Sequence, residues 1–235
     1  IPEGLPAAVT ITLAIGVARM ARRHAIIRKM PAVETLGSTT VICSDKTGTL
    51  TENQMTVSRI WAGSRIWQVT GGGYEPNGDI RCDAQKADLA ADPALNETLL
   101  AGLLCNDSQL VRRDGRLVVE GDPTEAALIV AAQKARLEAK ESGEHLPRLD
   151  VIPFESEHMY MATLHRNAEE HVIYMKGSVE RLLERCDTIL DAEGKDSSLD
   201  TATIIQAVDE MAAQGLRVLA FARRRLPTTH AKLTH

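Results

Sequence analysis

Asp45-Lys46-Thr47-Gly48-Thr49-Leu50-Thr51 carries the most readable chemistry in this chain. It follows Ser38-Thr39-Thr40-Val41-Ile42-Cys43-Ser44, a β-rich run, so the residues predict a carboxylate where a buried strand ends and a glycine-containing turn begins. In open α/β sheets, ligands and chemistry collect at the carboxyl ends of strands. The turn can offer backbone N–H groups and small hydroxyls to a phosphate beside Asp45. Such a carboxylate can attack phosphorus and become an aspartyl-phosphate. Two positions on stands Thr47 rather than a second acid. A hydroxyl is a poor general base near neutral pH, so the acyl-phosphate is expected to persist. As generic turn chemistry, Asp-x-Thr-Gly-Thr reads equally well as a capped turn.

The elements that must position these residues follow from pattern. Met55–Trp61 and Arg65–Thr70 read as strands joined through Gly63. Asn96–Asn106 reads as a helix with an apolar face of Leu99, Leu100, Leu103 and Leu104. Asp122–Ala139 is the clearest helix: Asp122 can cap it, Pro123 suits its first turn, and Glu125 completes an Asp-x-x-Glu capping box. Strands are expected near Leu149–Phe154, Met159–Leu164 and His171–Met175. A helix opens at Gly177-Ser178, another spans Thr201–Gln214 up to Gly215, and Leu216–Ala222 reads as a last strand. Strand-helix-strand pieces with several hairpins predict an α+β domain of antiparallel sheet and flanking helices. It is inserted after the first strand of an α/β domain.

Of the 235 residues, 44% are hydrophobic and only 3% aromatic, so the core must be built from Leu, Ile, Val, Ala and Met. The net charge of −5, with no basic-plus-aromatic stripe, argues against nucleic acid as a partner. Cys43, Cys82, Cys105 and Cys186 have no paired spacing, which disfavours a zinc site or a disulfide framework and suits a reduced, cytosolic setting. Gly71-Gly72-Gly73 lacks the Gly-Lys-Ser/Thr ending of a phosphate loop and reads as turn punctuation. Leu5–Val17 is apolar, shorter than the roughly 20 residues of a membrane span, and followed by Arg19, Arg22, Arg23, Arg28 and Lys29, as at a cytoplasmic membrane border. In Pro2-Glu3-Gly4-Leu5-Pro6 the prolines and glycine disfavour regular helix bonding and free carbonyls beside an acid. That combination suits a cation cage or an ordinary loop. There is no initiator Met, and the opening inside a motif reads as a piece of something longer.

The heptapeptide at Asp45 resembles the phosphorylation signature of P-type ATPases, the ATP-driven ion pumps. The runs Ile1–Pro6, Val33–Gly37 and Glu52–Val57 are similar to the calcium-pump branch, and smaller motifs extend the resemblance to Arg217-Val218-Leu219-Ala220. The resemblance implies α/β plus α+β architecture: the first strand of a haloacid-dehalogenase-like phosphorylation domain, with an inserted nucleotide-binding domain. It implies residues 1–29 as part of a membrane helix and stalk and 30–57 as the start of the phosphorylation domain. Residues 58–223 become the nucleotide-binding domain and 224–235 a return linker, with 18–235 on the cytoplasmic side of a membrane. Asp45 then attacks the γ-phosphate of Mg-ATP, Lys46 lies near the transferring group, the Thr47 carbonyl binds Mg²⁺ with Asp45, Thr49 holds a phosphoryl oxygen, and Glu3 is a ligand of the transported cation, Ca²⁺. Alternatives are a soluble haloacid-dehalogenase-type phosphohydrolase, against which Thr47 counts, and a non-catalytic ATP-binding fragment. The chain by itself is expected to bind nucleotide weakly and neither to turn over ATP efficiently nor to move ions.

The same resemblance implies an adenine pocket. Phe154 matches an aromatic stacked on the base, although plain core packing explains it too. Glu125 matches an acid near the adenine amino group, in competition with its capping role. Lys176, in Met175-Lys176-Gly177-Ser178, matches a pocket lysine, and Arg217 a phosphate-contacting arginine; solvated charges are the plain readings of both. Met159 stands where family members often carry a second lysine, which implies weaker, less salt-sensitive ATP binding, unless a protonated His158 substitutes.

Overall fold

The computed structural model describes residues 4–234, which divide into two compact units between Glu52 and Asn53. In the first, helix α1 (Gly4–Ala21) and short helix α2 (Ala32–Gly37) precede a π-helical turn, Lys46–Leu50. The irregular backbone expected around Pro6 is not seen. Gly4, Leu5 and Pro6 form the first turn of α1, where a missing N–H costs nothing because no carbonyl awaits it. Pro2 and Glu3 lie outside the described residues. The helix outruns the expected Leu5–Val17 and, at 18 residues, is about 27 Å long. By length and composition it can cross a membrane. Its Thr10 and Thr12 hydroxyls donate to the carbonyls of Pro6 and Ala8 at 2.8 and 2.9 Å, which satisfies them inside an apolar helix.

Ser38–Ser44 does not form the expected strand. Val41 and Ile42 are 75% and 87% exposed, and no described segment pairs with them. A strand exists only through its ladder, so β propensity by itself leaves the run extended and unpaired. The haloacid-dehalogenase-like sheet is accordingly not formed among the described residues.

The second unit opens with a four-stranded antiparallel sheet: β1 (Arg59–Ala62), β2 (Arg65–Val69), β3 (Ile80–Cys82) and β4 (Gln85–Lys86). The β1–β2 hairpin is shorter than expected, since Met55–Ser58 stay outside the ladder. Helix α3 (Pro93–Leu104) packs Ala94, Leu95 and Leu99 on Ile60, Trp67, Val69 and Ile80. A hairpin of β5 (Gln109–Arg113) and β6 (Arg116–Glu120) leads to α4 (Pro123–Lys134). This helix ends five residues before the expected Ala139. Arg136 takes the left-handed φ of 66° that breaks it, and α5 (Ala139–His145) starts afresh.

The larger sheet joins β7 (Arg148–Glu155), β8 (Tyr160–His165), β9 (His171–Gly177) and β12 (Ala220–Leu226) in the antiparallel order β12-β9-β8-β7. Between β9 and β12 lie α6 (Val179–Leu183), the hairpin β10 (Thr188–Leu190) and β11 (Asp196–Ser198), and α7 (Thr201–Ala212). The last strand starts at Ala220, not Leu216, because Ala220–Leu226 is the stretch that pairs residue for residue with Gly177–His171. Alternation gives the sheet two apolar faces. Met161, Val172 and Tyr174 meet Ala101, Leu104 and Cys105 of the α3 end, while Ile152, Tyr160 and Ala162 meet Leu182 of α6. Between the pairs Ile152↔Ala162 and Glu155↔Tyr160, both Pro153 and Phe154 oppose the single Met161. The strand is at the sheet edge, where a proline removes no ladder bond.

His165 is buried in this sheet. Its Nδ1–H donates to the Leu146 carbonyl (2.8 Å), which leaves Nε2 to accept from the Thr163 hydroxyl (2.9 Å). Burial, aided by the charge of Arg148, pulls its pKa below the ordinary 6.5 despite the Leu146 bond. The folded chain then resists the proton that the unfolded chain takes up. The stability from neutral His165 is complete above about pH 6.5 and is lost as pH falls from there toward the lowered folded value, at up to about 1.4 kcal/mol per pH unit. Denaturant midpoints measured from pH 7.5 to 5.5 are expected to fall, and His165→Gln to flatten that slope.

Candidate functional site

The site is built where the end of α3, the start of α4 and the C-terminal end of β9 converge. Asp122 caps α4 with its carboxylate, accepting from the N–H groups of Thr124 (2.7 Å) and Glu125 (3.2 Å). The other half of the expected capping box is absent. The Asp122 N–H donates to the Ser108 hydroxyl at 2.8 Å, which releases Glu125 to turn toward the sheet. There Glu125 Oε1 accepts from Lys176 Nζ at 2.5 Å, and Oε2 accepts from Ser108 Oγ (2.8 Å) and the Asp107 N–H (3.1 Å). Both side chains are largely buried, Lys176 at 8% and Glu125 at 16% side-chain exposure.

Two glycines hold this geometry. Gly121 has φ of 123°, and a Cβ there would lie 2.3 Å from Ser108 Oγ. At Gly177 a Cβ would lie 2.4 Å from the Met159 carbonyl oxygen, so that β9 approaches the β7–β8 turn as only glycine permits.

Sheet register places the remaining residues. Lys176 pairs across the ladder with Phe221 on one side and Met161 on the other, and Met161 faces the Pro153–Phe154 bulge. Phe154 is thus two strands, about 10 Å, from Lys176. It is 55% exposed rather than packed in the core. Arg217 is exposed and precedes β12 instead of lying in it. The Asp122 carboxyl lies below the ordinary carboxylate range. Burial raises it, but hydrogen bonds from Thr124 and Glu125 and the charge of Arg217 outweigh that. Glu125, Lys176 and Gly177 are thus brought together, Phe154 lies two strands away, and the charge of Arg217 is felt at Asp122.

Asp45, Lys46, Thr47 and Thr49 form a continuous segment of the first unit, with Asp45 in extended conformation ahead of the π-helical turn and Gly48 at φ of 74° within it. Asp45, Lys46 and Thr49 are exposed. Glu3 is outside the described residues. Among those residues no three His, Cys, Asp or Glu side chains converge as a metal site.

Sequence reasoning missed Asn106, Asp107, Ser108 and Arg148. Asn106 donates to the carbonyls of Gly102 (3.1 Å) and Glu125 (2.9 Å) and accepts from the Ser108 N–H (2.9 Å). Arg148 binds Asp107 (2.6 Å) and the carbonyls of Leu104 (3.0 Å) and Asn106 (2.5 Å), closing the C-terminus of α3. The one available signal was three polar residues directly after an apolar helix. Chemically, Glu125 keeps acceptor capacity and Lys176 further N–H donors, two strands from an exposed ring. This set suits a flat heterocycle with a polar edge.

The profile of the family described as P-type ATPase, cytoplasmic domain N, matches residues 94–234. The chain is 53% identical to the cation-transporting ATPase pma1 of Synechocystis sp. over 240 residues, covering all of the chain and 26% of that relative. It is 54% identical over 222 residues to the probable cation-transporting ATPase F of Mycobacterium tuberculosis, covering 94% of the chain and 24% of the relative. It is 40% identical over 227 residues to a calcium-transporting ATPase of Bacillus subtilis, covering 95% and 26%. The chain thus spans about a quarter of the length of the curated relatives it matches.

Proposed function

The chain belongs to the P-type ATPase family, and from that premise we propose that it is the catalytic and nucleotide-binding part of an ATP-driven cation pump, with Ca²⁺ as cargo. The observation that carries the reading is the Glu125–Lys176 pair, two strands from exposed Phe154, within the segment matched to domain N. Adenine presents a donor and an acceptor side by side on one edge. Glu125 accepts from the amino group, Lys176 donates, and Phe154 covers the ring face. Gly177 keeps the β7–β8 turn close to Lys176, and Arg217 meets the phosphates.

In the first unit, Asp45 attacks the γ-phosphorus in line, its oxygen forming a bond as the bond to the departing ADP oxygen breaks. Lys46 offsets the charge of the transferring group and Thr49 holds one of its oxygens. The exposed Asp45 carboxylate and the Thr47 carbonyl are hard oxygens of the kind Mg²⁺ takes one or two at a time, with phosphates and water completing its shell. Bound there, Mg²⁺ lowers the repulsion between carboxylate and phosphate. Thr47 supplies no general base, so the acyl-phosphate lasts long enough to be coupled to transport.

Residues 1–29 are read as membrane helix and stalk, 30–57 as the start of the phosphorylation domain, 58–223 as the nucleotide-binding domain and 224–235 as the return segment. Residues 18–235 lie on the cytoplasmic side, and Glu3 is a cargo ligand. Relatives named calcium-transporting ATPases support Ca²⁺. The test is ⁴⁵Ca uptake by vesicles holding the whole protein. Uptake is expected to require Mg-ATP and to be lost in Glu3→Gln. ATP-dependent phosphorylation with no response to Ca²⁺ would overturn the choice of cargo.

A further inference from the structure

Ser108 is buried, and its hydroxyl is used in both directions. It accepts from the Asp122 N–H at 2.8 Å and donates to Glu125 Oε2 at 2.8 Å. The Asp122 carbonyl is farther away, at 3.3 Å. A hydroxyl has one proton to give, so the shorter contact takes it. The backbone around it is fixed as well. The Ser108 N–H donates to Asn106 Oδ1, and Asn106 Nδ2 donates to the Glu125 carbonyl, both at 2.9 Å. Arg148 holds the Asp107 carboxylate between them at 2.6 Å. Gly121 leaves the room in which the hydroxyl sits.

The consequence is a matter of counting lone pairs. An ionised carboxylate offers about four acceptor positions, two on each oxygen. On Glu125 both positions of Oε2 are filled, one by the Ser108 hydroxyl and one by the Asp107 N–H. Oε1 accepts from Lys176 Nζ. One acceptor position is left, on Oε1, directly beside an ammonium with further N–H donors. Glu125 therefore presents a single acceptor next to a donor and cannot turn. Without the Ser108 hydroxyl two things change together. Oε2 regains an open position, and the Asp122 N–H loses its acceptor. The residue at the third helical position, here Glu125, is the one that a capping box offers to that N–H. The carboxylate then has a reason to swing back to the helix end.

We propose that Ser108 is a positioning residue for base selection: by filling Glu125 Oε2 and taking the Asp122 N–H, it pins the carboxylate so that one acceptor faces the base beside the Lys176 donor. The inference rests on the nucleotide-pocket reading above and adds how that pocket tells one purine from another. Adenine carries an amino donor next to a ring-nitrogen acceptor, which matches the pair. A purine with an oxo group at the same carbon sets an acceptor against the Glu125 oxygen. A carboxylate free to rotate could adapt to either.

The experiment titrates the chain calorimetrically with Mg-ATP and with Mg-ITP, whose base has the oxo group in place of the amino group. The unsubstituted chain is expected to bind ATP about 30-fold more tightly than ITP, within the range that one well-placed pair of hydrogen bonds gives. Ser108→Ala is expected to reduce the ratio to about threefold, as is Glu125→Gln. Ser108→Cys fills the same space with only a weak donor and is expected to lose as much as Ser108→Ala; a packing role would let it keep the ratio. Loss of one hydrogen bond lowers the thermal midpoint by only about 5 °C, so both Ser108 variants are expected to fold. Combining Ser108→Ala with Glu125→Gln is expected to add nothing to the loss in Glu125→Gln, because the hydroxyl acts through that carboxylate. An unchanged ratio in the Ser108 variants, a ratio kept by Ser108→Cys, or a further loss in the double variant overturns the inference while the pocket stands. Binding of neither nucleotide, or a ratio indifferent to Glu125→Gln, overturns the pocket reading itself.

Discussion

Asp45→Asn in the whole protein is expected to abolish acid-stable labelling from γ-³²P-ATP, by more than about 10³-fold, the scale on which single members of a reacting unit act. An amide has the shape of the carboxylate but not its nucleophilic oxygen pair. The loss cannot be ascribed to unfolding. Asp45 is exposed, and its side chain makes no capping bond to the π-helical turn that follows. The thermal midpoint and nucleotide binding are therefore expected to be unchanged. The label on the unsubstituted protein is expected to be released by hydroxylamine, as an acyl-phosphate is. Undiminished labelling of Asp45→Asn would remove the chemical basis of the proposed function.

The second large effect is on stability. Glu125→Ala leaves Lys176, its side chain 8% exposed, without its counter-charge, and leaves the Ser108 hydroxyl and Asp107 N–H without their acceptor. Removing one member of a buried pair costs about 3–5 kcal/mol, mostly through the charge left behind. For a unit of this size that lowers the thermal midpoint by roughly 10 °C. Adding Lys176→Met removes the stranded charge, so the double variant is expected to recover part of the loss without recovering nucleotide binding. Calorimetric melting of the two single variants and the double variant checks this. Equal losses in Glu125→Ala and the double variant would mean that Lys176 finds another partner.

The pair also marks the boundary of what could be read from residues in order. The Asp122 cap was legible because Asp-Pro-x-Glu acts within one helical turn. The β1–β2 hairpin was legible because its turn and both strands lie within a dozen residues. Where Glu125 spends its carboxylate was not, since Lys176 is 51 positions away and the choice depended on Ser108 first taking the Asp122 N–H. The last strand moved from Leu216 to Ala220 for a related reason. Both stretches are apolar enough, and only register against β9 selects between them. Val41-Ile42 shows the converse: strong β propensity without a ladder gives no strand. The phosphorylation signature, a local motif, needed no such partner to be recognised.

The irregularity at Pro153–Phe154 also bears on how copies of this unit treat one another. An outermost strand with a complete row of free N–H and C=O groups invites a further strand from a neighbour. Here that row is interrupted by a residue with no N–H to give and by an extra residue that throws the backbone out of step. The aromatic ring can therefore stand open to solvent for a ligand without the strand beneath it becoming a seed for self-association.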